Sequence, residues 1–199
     1  TGAYTAASAG TVSFTSGATA QSAVVLTTAK ATTLSLTDGA GITVANGSDF
    51  SKVQTLNMAA TKVIDASAEA FAAAADVNIS GSGSGAGVKT GNLGATDLSY
   101  SMDIDVSGMK GGMTLGNVDA GVESLDLNMA GILGTTVVGT MDADKTVAFS
   151  ANGALGGVTT GVMSGKDITI DNAGALQTVQ IGGGSNGTAS GTTDINVGK

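Results

Sequence analysis

Acidic side chains at short, repeated spacings are the residues of this chain that could do chemistry. They form three pairs: Asp103 and Asp105, Asp142 and Asp144, and Asp167 and Asp171. In the stretch Leu98 to Val106, Asp103 and Asp105 alternate with apolar residues, which places both on one face of a strand, about 7 Å apart at their Cα atoms. Carboxylate pairs suit Ca²⁺, which takes about six to eight oxygen ligands in irregular geometry. The three pairs are therefore candidate calcium ligands; the alternative is that they form solvated faces that keep exposed strands from pairing wrongly.

Two carboxylates could also act as the acid and the base of a glycoside hydrolase. Sites of that kind hold sugar with aromatic or Arg side chains, whereas this chain has 3% aromatic residues, no Trp and no Arg. His and Cys are absent as well, which excludes Ser-His catalysis, thiol catalysis and His or thiolate metal sites. We expect that the protein is not an enzyme.

The charge balance limits the classes of partner. Sixteen acidic residues against 8 Lys give a net charge of −8, and binding to nucleic acid requires a basic surface, so no nucleic-acid partner is expected. No apolar run is long enough for a membrane-spanning helix. The chain begins at Thr1 rather than Met, and we expect it to be a segment or a processed product of a larger protein.

Short apolar alternations recur along the chain and indicate the elements that would carry the acidic pairs. Leu98 to Val106 is the longest, and its shorter copies are centred on residues 35, 57, 78, 126, 148 and 169. Most steps are 21 or 22 residues, which predicts an all-β fold, a β-solenoid or β-helix-like stack of short strands with a period of about 22 residues. A β-sandwich is the alternative fold. We interpret residues 1–199 as one solenoid-like segment, in which the Gly/Ser-rich residues 81–87 are either a wide turn or a domain boundary.

Two smaller features complete the prediction of the elements. The Ala-rich stretch Asp65 to Asp76 has good helix formers, and is expected to form either a short helix at a corner of the coil or a bend of small residues. The seven Met residues, among them Met102, Met109 and Met113, are expected to fill the core.

Several strand-turn phrases resemble a known family. VQTLNM (53–58), KVIDASA (62–68), VNISGSGSG (77–85), VESLDLNMAG (122–131) and LQTVQIGGGSNGTASG (176–191) are similar to the Thr/Ala/Gly-rich bodies of surface-layer (S-layer) proteins of Gram-negative bacteria. The resemblance implies type I secretion, an extracellular location at the cell surface, and a calcium-dependent lattice of β-solenoid domains. The calcium nonapeptide GGxGxDxUx of type I substrates has no copy here, because GGGSNGTAS (182–190) lacks its carboxylate.

These observations lead to one expected function and one alternative. The chain is expected to be a structural subunit of an extracellular surface layer or coat that self-assembles into an ordered array, helped by calcium between acidic faces. Self-association is the expected partnership, with cell-surface glycan or lipopolysaccharide contacted through other parts of a longer chain. The alternative is an adhesin or carbohydrate-binding rod of a secreted bacterial surface protein.

Overall fold

The computed structural model describes residues 2–95, 99–121, 123–152, 157–172, 176–181 and 193–197. The regular elements of these described residues are all β-strands. No helix long and apolar enough to cross a membrane is found among them. In chain order the strands are β1 (Gly2–Thr5), β2 (Thr11–Ser16), β3 (Gln21–Thr27), β4 (Thr33–Asp38), β5 (Ile42–Val44), β6 (Thr55–Ala60), β7 (Val63–Ala66), β8 (Asp76–Gly81), β9 (Gly87–Thr90), β10 (Leu93–Gly94), β11 (Met102–Ser107), β12 (Gly112–Leu115), β13 (Val118–Asp119), β14 (Leu125–Ala130), β15 (Thr136–Val138), β16 (Met141–Asp142), β17 (Thr146–Asn152), β18 (Val158–Ser164), β19 (Asp167–Asn172), β20 (Leu176–Ile181) and β21 (Thr193–Val197).

The strands stack in parallel into two sheets. The nine-stranded sheet has the order β2-β4-β6-β8-β11-β14-β17-β19-β21, and the twelve-stranded sheet has the order β1-β3-β5-β7-β9-β12-β15-β18-β16-β13-β10, with β20 also paired to β18. Leu34 lies beside Leu56, and Leu56 beside Val77, so most strands pair with the strand about 22 residues further along the chain, while the step from Val77 of β8 to Ile104 of β11 is 27 residues. The fold is a β-solenoid of about seven turns. The predicted fold and period are confirmed, and the β-sandwich alternative is wrong.

The core lies between the two sheets and follows from the alternation of residue types. In β4 and β14 the Leu and Met side chains are buried, and the polar residues between them are exposed or half-buried. All seven Met residues are buried, as predicted. Phe50 and Phe71 stack face to face inside the core, with ring centroids 4.9 Å apart. The two residues are 21 apart in sequence, so the pair joins two successive turns.

The longest alternation does not form one strand over its whole length. Strand β11 begins at Met102, whereas Leu98 lies outside the described residues. Tyr100 precedes the strand, packs against the core and donates a hydrogen bond from its hydroxyl to the Ala73 carbonyl (2.6 Å). Tyr100 and Ser101 therefore lie before the strand, which starts later than the alternation alone predicts.

Two further sequence expectations concern connections between strands. The stretch 65–76 forms no helix; it continues β7 through Ala66, turns, makes an isolated bridge at Phe71 and enters β8. Of the two alternatives for this stretch, the bend is the one observed. Residues 81–87 connect β8 to β9, and the nine-stranded sheet continues from β8 to β11 beyond them.

One corner of the coil is built from stacked glycines. A Cβ added to Gly116 would lie 2.5 Å from the carbonyl carbon of Gly91, one turn away. A Cβ on Gly139 would meet Gly116 at 2.8 Å, and a Cβ on Gly161 would meet Gly139 at 2.9 Å. Next to this column, the Asn117 side chain accepts a hydrogen bond from the Thr140 amide of the following turn (3.1 Å). Successive turns approach too closely at this corner for any side chain.

Candidate functional site

The outward face of the nine-stranded sheet carries aspartates in adjacent strands. Asp103 of β11 lies in register between Asp76 of β8 and Asp126 of β14. Neighbouring strands are about 4.8 Å apart, so the three side chains form a row along the solenoid axis. Asp105 projects from the same face of β11 as Asp103, about 7 Å away along the strand. We call these four residues the acidic ladder.

Carboxylates this close repel one another in their ionised form. Partial desolvation raises the pKa of the Asp103 carboxyl, and the charge of Asp105 raises it further. The charges of Asp126 and Asp76 act in the same direction. The described ion pairs, Lys89 with Asp65 (3.4 Å) and Lys145 with Glu123 (2.7 Å), include no member of the ladder. The ladder is thus a strip of negative charge that no described lysine neutralises.

A row of amides runs beside the ladder. Asn78 lies next to Asp105 in register and donates hydrogen bonds to Asn57 Oδ1 (3.1 Å) and Asp76 Oδ1 (2.9 Å). On the other side of Asp105, Asn128 donates to its Oδ1 (3.3 Å). These amides fix the orientation of two ladder carboxylates.

A shallow groove of about 350 Å³ follows this amide row. Ser35, Asn57, Asn78 and Asp105 form one side of the groove, and smaller outward residues such as Ser80 form the other. The groove is therefore lined by hydroxyl, amide and carboxylate groups together with apolar surface, such as that of Ala59, and without an aromatic side chain.

The ladder does not form a closed metal site within one copy. Among the described residues, no group of three or more Asp, Glu, His or Cys side chains is placed to hold one metal ion. A flat row along a sheet presents its oxygens side by side, whereas Ca²⁺ needs ligands on several sides. The arrangement can attract and share cations, and complete coordination would need oxygens from water or from another molecule.

The second predicted pair lies on a different stack of strands. Asp142 is exposed in β16, where it lies in register beside Asp119 of β13 and Ser164 of β18. Asp144 is exposed at the following corner, and its backbone amide donates to the Gly121 carbonyl (2.9 Å). The structure does not bring this pair together with Asp103 and Asp105.

The third predicted pair lies further along the nine-stranded sheet. Asp167 begins β19 in register with Thr146, and Asp171 is exposed beside Ser150. Four residue steps of extended strand separate their Cα atoms by about 13 Å, too far for the two carboxylates to share one ion. Thr169 lies between them on the same face.

Sequence reasoning missed Asp76 and Asp126. The signal was present, because Asp-apolar-(Asn or Asp)-apolar occurs at Asp76 to Ile79, Asp103 to Val106 and Asp126 to Met129. Aligning these phrases by their apolar residues gives the observed register. A constant step of 21 or 22 residues from Asn78 falls on residue 99 or 100 instead, five or six residues before its register partner Asp105, and hides the row.

Comparison with known protein families, with characterised proteins and with solved structures finds no match to this chain.

Proposed function

We propose that this chain is a structural segment of an extracellular coat, of the surface-layer kind, in which copies associate side by side through the acidic ladder with divalent cations between them. The observation that carries the proposal is the ladder itself, a regular strip of carboxylates along the axis of a rod. Without bound cations, the negative strip of one copy repels the same strip of another copy. Cations held between two such strips can join the copies. The proposed ion is Ca²⁺, because it accepts many oxygen ligands at irregular positions.

Two further features support a mechanical role. The side chains facing the core are mostly aliphatic, Met or Phe, with a few buried threonines such as Thr136, and the turns are joined by continuous parallel ladders, which makes a stiff rod. The incomplete ligand set within one copy favours ions that are shared between copies over ions that only stabilise a single chain.

A calcium titration of the purified protein tests this proposal. Melting temperature and light scattering are followed together, with electron microscopy of any assembled material. We expect Ca²⁺ to raise both signals and to give ordered sheets, and Asp103→Asn combined with Asp105→Asn to abolish the response. The matched control is Asp142→Asn with Asp144→Asn, which removes the same charge away from the ladder. An unchanged melting temperature and a monomeric protein at millimolar Ca²⁺ would exclude the coat.

The hydroxyl and amide groups in the groove favour a second candidate, a rod that binds carbohydrate. Its hydroxyl and amide groups could hydrogen-bond to a glycan chain lying along the axis. Discrete binding of one soluble oligosaccharide by the monomer, lost in Asn57→Ala with Asn78→Ala, would favour this candidate over the coat. The absence of an aromatic stacking surface in the groove makes it the weaker of the two.

A further inference from the structure

The outward face of the twelve-stranded sheet carries a patch whose residue types read almost the same in both directions along the rod. Strands β5, β7, β9 and β12 are consecutive neighbours in this sheet, and two outward columns of residues cross them. The first column is Gly41, Val63, Gly87 and Gly112, and the second is Thr43, Asp65, Lys89 and Thr114. We call these eight residues the two-column patch.

The second column is symmetric in residue type. Thr43 and Thr114 are exposed at its two ends, and Asp65 and Lys89 lie side by side at its centre. Reversing the column exchanges the two threonines and places each charged residue opposite the one of the other sign. A surface with this property is complementary to a second copy of itself.

The charged pair at the centre is held in place and reaches the surface. Lys89 Nζ lies 3.4 Å from Asp65 Oδ2, and the Lys89 side chain is 53% exposed. The amide and the hydroxyl of Ser67 donate to the other carboxylate oxygen, Asp65 Oδ1 (3.1 and 2.6 Å). The other six residues of the patch are uncharged, so the patch has no net charge, whereas the whole chain has −8. Two copies can therefore meet here without direct repulsion between like charges.

The first column is complementary in shape. The Val63 side chain is 42% exposed, and it lies beside Gly87 in a depression of about 270 Å³. Gly87 pairs with Val63 and Gly112 without a bulge, and glycine in a regular strand is typical of a place that another backbone or a ligand approaches closely. Reversing this column places Val63 of one copy opposite Gly87 of the other, where no side chain obstructs it.

We propose that the two-column patch is a docking surface for the same patch of a second copy. The two-fold axis runs parallel to the strands, between β7 and β9, and the two sheets pack face to face. Each Asp65 then faces Lys89 of the other copy, and the two Val63 side chains meet above the two Gly87 backbones. Lys62, exposed at the corner before β7, lies at the rim of this contact.

This inference rests on the coat proposed above and names one of its contacts. A ladder that meets the same ladder of another copy closes as a dimer, so an ordered array needs a second contact on another face. The patch belongs to the twelve-stranded sheet, whereas the ladder belongs to the nine-stranded sheet across the core. Alternation of the two contacts continues the side-by-side association from copy to copy.

Analytical ultracentrifugation of the full chain without divalent cations tests the patch alone, because the ladder contact requires cations. The patch is small, so the concentration series extends to about 1 mM protein. We expect a monomer–dimer equilibrium in which Lys89→Asp raises the dissociation constant about tenfold or more, since Asp65 then faces a second carboxylate. The matched control is Lys145→Asp, which breaks the ion pair with Glu123 and changes the net charge equally. Its dissociation constant should equal that of the wild type.

Two further variants test the facing residues directly. Asp65→Lys combined with Lys89→Asp exchanges the two charges and should bind at least about threefold more tightly than Lys89→Asp alone, because opposite charges face each other again. Val63→Ser should weaken the dimer by removing the apolar contact at the axis. Its control is Leu133→Ser, which changes a 47% exposed side chain at the corner before β15, outside the patch, and should leave the dimer unchanged.

Three results would each overturn the docking surface: a wild type that stays monomeric to about 1 mM, a Lys89→Asp variant that dimerises like Lys145→Asp, or a charge exchange that recovers nothing. Calcium-dependent sheets without this dimer would remove the docking surface and leave the coat proposal standing. The cation-independent dimer without any response to calcium would keep the docking surface and remove the coat.

Discussion

At the scale of single residues, the carboxylates of this chain fall into two electrostatic classes. Asp38 is buried, but its oxygens accept hydrogen bonds from the backbone amides of Gly41 and Lys62, which compensate for its loss of solvent. Asp65 is partly desolvated, which acts to raise its pKa, yet hydrogen bonds from Ser67 and the charge of Lys89 outweigh this and lower it. Asp103 has carboxylates as its charged neighbours. The ionised Asp103 therefore opposes folding, whereas hydrogen bonds or a nearby lysine compensate the burial of Asp38 and Asp65.

Asp103→Asn should stabilise the protein at neutral pH. The pKa of Asp103 is raised in the folded state above its ordinary 3.8. The protonated form of Asp103 therefore contributes fully to the stability of the folded state below pH 3.8, and this contribution is lost as the pH rises through the folded pKa. Removing one like-charged neighbour from a strand pair should add about 0.2–1 kcal/mol to the free energy of unfolding at pH 7. Urea unfolding at pH 7 and pH 3 measures this gain, which should shrink at the lower pH.

Asp171→Asn is the control for this variant, since it removes an exposed carboxylate from the same sheet at a position flanked by Ser150. Equal stabilities of the two variants at both pH values would show that the ladder does not strain the fold.

At the scale of elements, local patterns predicted the strands well and their exact register poorly. Alternating residues fix which side chains point inward, and this is a local property of β4, β6 or β14. The register of β11 against β8 depends on how many residues lie between the two strands, and on contacts such as that of Tyr100 with Ala73. Those contacts join residues 27 apart in sequence, so a fixed period could not reveal them. The acidic ladder depends on that register. For this reason the sequence pattern predicted Asp103 and Asp105 but not Asp76 and Asp126.

The stacked glycine corner gives a test of how closely the turns approach. Gly116→Ala places a Cβ 2.5 Å from the carbonyl carbon and 2.6 Å from the carbonyl oxygen of Gly91, so the backbone of one turn must shift. We expect a loss of about 1–3 kcal/mol in the free energy of unfolding, measured by urea denaturation.

Gly85→Ala is the matched control, because a Cβ at Gly85 has no other atom within 4 Å. Its stability should equal or slightly exceed that of the wild type, since alanine restricts the unfolded chain. A Gly116→Ala variant as stable as Gly85→Ala would mean that the turns are spaced more loosely than the structure has them.

At the scale of the whole molecule, the solenoid separates its surface properties by position. Residues 2–29 contain no charged side chain, whereas the acidic ladder lies on the middle strands of the nine-stranded sheet. A repeat fold permits this separation because each turn contacts only its neighbours, so outward residues can change from turn to turn without altering the core. The acidic ladder can thus be confined to three neighbouring strands without a change in the core.

Neutralising the row of three ladder aspartates on β8, β11 and β14 should therefore remove the need for cations in the side-by-side association proposed above. Asp76→Asn, Asp103→Asn and Asp126→Asn together change the net charge from −8 to −5, one unit for each carboxylate removed. If repulsion between ladders keeps copies apart, this variant should scatter light at low ionic strength without calcium, at protein concentrations where the wild type does not. The control variant carries Asp142→Asn, Asp144→Asn and Asp171→Asn, three exposed carboxylates outside the ladder, and has the same net charge. Association of both triple variants to the same extent would assign the effect to net charge alone, whereas association of the ladder variant alone would locate the repulsion on this face of the rod.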